Sequence, residues 1–191
     1  LRFQGVCYRA HDPRWAISPI SGEGAAIRGA RFNPKGVPAL YLSTSIEGAI
    51  TEASQGFGHR IHPLTICSYD IDCDDVADLT DEASQHALGI SPDVMASAWA
   101  SALSDSRRPD SWAIYDDISG TYAGILVPSF AHRAATSVSN LVLWDRGARS
   151  APSSPRHRPD RQVAEESEVL GGVASEPYAA SARSGCSVPS L

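Results

Sequence analysis

Between Arg28 and Glu52 the chain runs from an irregular stretch into a strand and then into a helix, and that order leaves it few ways to fold. Gly29, Pro34, Gly36 and Pro38 punctuate the part around Arg31 and let backbone come close to a ligand. Ala39 to Ser43 then alternates, with Leu40 and Leu42 on one face and Ala39, Tyr41 and Ser43 on the other. Thr44 to Glu47 has the capping-box form T-x-x-E, which predicts a helix start. The apolar stripe of that helix reads Ile46, Ala49, Ile50, Ala53, with Glu52 beside it. A loop arginine, a strand tyrosine and a helix glutamate are thereby spaced so that one cleft can collect them.

The rest of the chain supplies a mixed set of elements. Gly5–Ala10 predicts a first strand, with Val6 and Tyr8 on one face and Cys7 and Arg9 on the other. The small-residue stretch from Trp15 to Ala30 predicts a binding loop, without GxGxxG or a Walker pattern. Gln55–His62 reads as a turn and Leu64–Ile71 as a strand. The acidic run from Asp70 to Glu82 lacks the calcium loop DxDxDG and predicts a solvated face. Ser91-Pro92 predicts a helix start, with Val94, Ala98, Trp99, Ala102 and Leu103 as its buried stripe. A short helix is expected at Ser111–Asp117, an apolar strand from Tyr122 to Pro128, and a last strand over Asn140–Trp144. From Gly147 the composition turns to Ser, Pro, Ala, Arg and Glu, and apolar periodicity vanishes. Residues 1–146 therefore predict the folded domain, and residues 147–191 a disordered tail.

A chain of 191 residues with 42% apolar residues has room for one domain with a real core. No apolar run is long enough to cross a bilayer, so no membrane partner is expected. The four cysteines have no metal-ligand spacing and read as buried or free thiols of a cytoplasmic protein. The six histidines form no HExxH set, and no metal is expected. The net charge of −6 hides an asymmetry: residues 1–60 carry seven basic against four acidic groups, residues 61–146 four against thirteen. An acidic chain is a poor nucleic-acid binder, while a local basic cluster suits a small anion such as a diphosphate.

Several of these pieces together resemble the RES-domain toxins of bacterial toxin–antitoxin systems. They are YRA at Tyr8–Ala10, SGEGA at Ser21–Ala25, GARFNPKG at Gly29–Gly36, LYLS at Leu40–Ser43, the helix bearing Glu52, and ILVPS ending at Ser129. Arg31, Glu52 and Ser129 fall on the arginine, glutamate and serine for which the family is named. Phe32 stands where the family often has tryptophan. The resemblance covers roughly residues 5–145 and leaves the tail outside.

The resemblance implies an α+β fold, a mixed sheet with flanking helices, similar to the ADP-ribosyltransferases. It implies NAD as substrate, cleaved at the nicotinamide–ribose bond, with water, phosphate or a protein side chain accepting ADP-ribose. It also implies a helix-turn-helix antitoxin of the Xre type as partner. In such chemistry a carboxylate faces the cationic ribose, the role expected of Glu52. Tyr41 is expected to stack on nicotinamide. Arg31, with Arg9 as a second candidate, is expected to hold the diphosphate. Asn33 and Ser129 are expected to hydrogen-bond ribose or amide groups. The competing expectation is a catalytically silent module on the same fold that acts through a protein partner; nicotinamide release from NAD separates the two.

Overall fold

A computed structural model of the chain describes residues 1–13, 20–54, 63–131, 138–144 and 186–187. The predicted turn at Gln55–His62 lies outside them, as does the tail 147–191 apart from Cys186–Ser187.

The strands are β1 (Phe3–His11), β2 (Ala39–Ser43), β3 (Thr65–Cys73), β4 (Val76–Asp78), β5 (Gly124–Pro128), β6 (Ser139–Trp144) and β7 (Cys186–Ser187). They form one sheet in the order β4-β5-β6-β2-β1-β3-β7. Only β4 and β5 run parallel; the other described pairs are antiparallel. The helices are α1 (Glu23–Arg28), α2 (Ile46–Ser54), α3 (Glu82–Ala87), α4 (Pro92–Ala96), α5 (Trp99–Ser104) and α6 (Trp112–Ile118). The architecture is α+β, as expected.

Alternation along the strands splits the core in two. Ile125, Val127, Val142 and Trp144 join Phe32, Met95, Ile114 and Ile118 on one face. Leu40, Leu42, Leu141 and Leu143 join Cys7, Tyr69 and Ile71 on the other. Antiparallel register places Ser43 opposite both Tyr8 on β1 and Asn140 on β6, so three strands meet at that point.

Several expectations are corrected. The loop before Ala30 contains α1. The α2 cap is Ser45, whose Oγ accepts from Gly48 N at 2.9 Å, while Thr44 Oγ1 bonds Ser139 across to β6. Ile46 and Ile50 are exposed at 42% and 39%; Gly48 and Ala49 are the buried residues. The reason is steric. A Cβ on Gly48 would lie 2.2 Å from Ser43 Oγ and 2.6 Å from Val138 Cγ1, so the helix approaches the sheet along its smallest side chains and turns the isoleucines outward. The helix expected after Ser91 is two helices, because Ser97 and Ala98 leave helical geometry. The acidic run conceals β4, with Val76 and Ala77 buried, although Asp70, Asp74, Asp75, Asp81 and Glu82 are exposed as expected and Asp72 pairs with Arg2 at the surface.

Cysteine usage is also corrected. Cys7 and Cys67 are free, whereas Cys73 is disulfide-bonded. Its backbone pairs with that of Cys186 in β7, a partnership set by sheet register and invisible to local spacing. Among the described residues no helix is long and apolar enough to cross a membrane.

Candidate active site

A cavity of about 470 Å³ opens on the sheet face that carries α2. Tyr8, Tyr41, Ser43 and Asn140 contribute from β1, β2 and β6, Ala49 and Glu52 from α2, and Arg31 and Phe32 from the loop before β2. Trp99 and Phe130 add aromatic walls.

The loop is fixed from behind by side chains that take up its carbonyl oxygens. Trp112 Nε1 donates to Ala30 O at 2.7 Å, Ser111 Oγ to Arg31 O, and Trp144 Nε1 to Phe32 O at 2.9 Å. Phe32 N donates to Tyr41 Oη at 2.9 Å, and that hydroxyl donates to Asn33 Oδ1 at 2.8 Å. Gly29 begins the loop at φ +76°, and its missing side chain leaves room for the Trp112 ring, 2.6 Å from where a Cβ would stand.

Arg31 is held over the Phe130 ring, 4.7 Å from its centroid, within cation–π range. Its Nη1 donates to Met95 O and Ser97 O, both at 3.0 Å. The break between α4 and α5 supplies these acceptors: Trp99 N bonds Ser97 O, so Met95 O lacks the i+4 donor of a continuous helix. Burial lowers the Arg31 pKa, and the neighbouring Glu52 carboxylate opposes that shift. The guanidinium stays charged regardless.

Glu52 Oε1 accepts from Ser129 Oγ at 2.7 Å and from Asn140 Nδ2 at 2.6 Å. Ser129 Oγ in turn accepts from Ala131 N at 3.3 Å. Tyr41 presents its ring to the cavity, but both hydrogen bonds of its hydroxyl go to the loop. Burial raises its pKa, against the opposing effects of the Phe32 N–H and Arg31, so the phenol is neutral near pH 7 and is no general base.

The expected site residues therefore divide. Arg31, Tyr41 and Glu52 come together on the cavity, and Ser129 touches Glu52. Asn33 does not reach it: the residue is fully buried, and Nδ2 donates to Ala25 O, Pro34 O and Val37 O. Its amide shapes the loop. Arg9 borders the cavity, yet the pleat turns its side chain to the opposite face with Cys7, where Nη1 donates to Ser21 O at 3.1 Å and the guanidinium acts on the Tyr69 phenol. The two arginines do not share a side of the sheet. Asn140, Tyr8, Trp99 and Phe130 are cavity residues that sequence reasoning missed. Asn140 had one local mark, a polar residue at the head of an otherwise apolar strand.

A mixed sheet with flanking helices, and a cavity that a guanidinium, a carboxylate and aromatic rings line together, defines the class: an α+β protein. The chain belongs to the RES domain family, whose model matches residues 6–164. Among solved structures it is similar in fold to the Mycobacterium tuberculosis MbcT–MbcA toxin–antitoxin complex, with a TM-score of 0.50 and 23% identity over 75% of each chain. No curated protein matches it.

Proposed function

We propose that this chain is the toxin of a toxin–antitoxin pair and that it cleaves NAD at the nicotinamide–ribose bond. The observation that carries this reading is the convergence of Glu52, Arg31 and Tyr41 on one cavity. Nicotinamide leaves as a neutral base while positive charge develops on the ribose. Glu52, anchored through Oε1, faces that charge. Arg31 keeps Nε and Nη2 for the diphosphate while Nη1 holds the backbone. The ring of Tyr41, with Phe130 and Trp99, offers apolar surface to the nicotinamide. Water, phosphate or a protein side chain then accepts ADP-ribose. A cytoplasmic enzyme of this kind needs restraint. The solved relative is itself in a toxin–antitoxin complex, and a helix-turn-helix antitoxin of the Xre type is the partner proposed here.

The test is chromatography of NAD incubated with the purified protein, with and without phosphate and with cell extract. Release of nicotinamide is expected, and the second product identifies the acceptor. An intact NAD pool in all three conditions removes the reading. NAD binding by the antitoxin complex and by the free protein then shows whether inhibition acts by covering the cavity.

A further inference from the structure

The residues of β6 that face the cavity side are Asn140, Val142 and Trp144. Val142 and Trp144 are buried apolar residues, at 0% and 5% exposure. Asn140 breaks the row, between Ser43 on β2 and Val127 on β5. A third apolar side chain would continue the core. The amide instead leaves Oδ1 buried with no hydrogen-bond partner among the described residues, a cost to stability. What the amide supplies is Nδ2, 2.6 Å from Glu52 Oε1. Its orientation is dictated, because a carboxylate oxygen accepts from N–H and repels a carbonyl.

Ser129 reaches the same oxygen from the end of β5. Oε1 thus takes two donors from two strands, and Oε2 takes none among the described residues. We propose that Asn140 is a positioning residue for Glu52: together with Ser129 it fixes one carboxylate oxygen and leaves Oε2 to the ligand. This rests on Glu52 being the carboxylate that faces the reacting ribose. α2 has small side chains against the sheet, and Glu52 is a long side chain with three rotatable bonds. Without a second donor, Ser129 alone would let the carboxylate swing on its one hydrogen bond. Asn140 restricts that rotation before substrate arrives, so its contribution belongs to the transition state and not to NAD affinity.

The experiment is steady-state kinetics of nicotinamide release by the full chain and four variants: Asn140→Ala, Asn140→Asp, Glu52→Gln, and Glu52→Gln with Asn140→Ala. Asn140→Ala is expected to lower kcat roughly 10- to 100-fold, the loss of a hydrogen bond to a charged group, with KM within about twofold of the parent. In the Glu52→Gln background the same change is expected to cost less than about twofold, because the residue acts through Glu52. Asn140→Asp keeps the shape of the side chain but sets a second carboxylate against Glu52, and its kcat is expected to fall at least as far. It decides the matter if Asn140→Ala melts below the assay temperature. A parental kcat in either folded variant, or an equal loss with and without Glu52, overturns the inference. A parent that releases no nicotinamide overturns the functional reading, and this inference with it.

Discussion

Arg31 and Glu52 face one cavity from two walls, the first a loop locked from behind and the second a helix laid on the sheet. On the loop wall the atoms that make the site also make the fold. Trp112, Ser111 and Trp144 consume its carbonyls, Asn33 ties its ends, and Arg31 itself bonds the carbonyls of Met95 and Ser97. On the helix wall the duties are separate. Gly48 and Ala49 dock α2, while Ser129 and Asn140 are the donors that hold the Glu52 carboxylate among the described residues. The helix wall should therefore tolerate loss of its charge at little cost to folding, and the loop wall should not.

The largest expected effect is at Glu52. Glu52→Gln keeps the size of the side chain and removes the charge proposed to face the developing cation. NAD turnover should fall on the order of 10²–10³-fold with the melting temperature unchanged. Unchanged turnover in a folded variant takes Glu52 out of the mechanism; a large drop in melting temperature erases the contrast between the walls.

Arg31→Lys comes next. Lysine keeps the charge but loses the planar fork, and it cannot serve two backbone carbonyls and a diphosphate at once. NAD affinity should drop roughly tenfold or more, and the protein should also lose about 1–2 kcal/mol of stability to denaturant. The second loss is the sharper test, since a purely ligand-binding arginine would show none.

Gly48→Ala probes how α2 is seated. Its new Cβ would collide with Ser43 Oγ and Val138 Cγ1, so the helix must lift. A destabilisation of about 1–3 kcal/mol is expected from chemical denaturation, with reduced turnover as Glu52 moves from its donors. A neutral result means that α2 slides without harm and that Glu52 is placed by its hydrogen bonds alone.

Tyr41→Phe has the smallest effect on chemistry. The ring remains, but Asn33 Oδ1 and Phe32 N lose their partner. Stability should fall by about 1–3 kcal/mol while kcat at low temperature stays close to the parent. A collapse of kcat with stability intact would make the hydroxyl catalytic.

The same division explains what could be read from the sequence. Strand faces were legible because alternation is local: Leu40 and Leu42 separate from Tyr41 as the pleat requires. Arg31, Tyr41 and Glu52 were legible because a short loop–strand–helix segment carries all three. What escaped depends on contacts distant in the chain. Ile46 and Ile50 look like a core stripe until the sheet meets Gly48. Asn33 looks like a ligand group until its amide is seen to close the loop. Arg9 was already placed on the Cys7 face by alternation, but only the position of the cavity shows that this is the wrong face for Arg31. Asn140 lies 88 residues from the carboxylate it holds, and no local pattern marks such a pair.

The interruption at Ser97–Ala98 sets local stability against purpose. To a protein engineer this is an obvious place for improvement: a stronger helix former at these positions would favour one continuous helix over residues 92–104 and raise helix content. That repair would return Met95 O to the N–H of Trp99 and strip Arg31 of an anchor. A thermostabilised variant chosen by helix propensity alone would therefore be expected to gain in melting temperature and to lose its grip on the proposed anionic ligand, the trade-off expected where a site is built from an unfinished element. The flaw in the helix is the socket of the arginine.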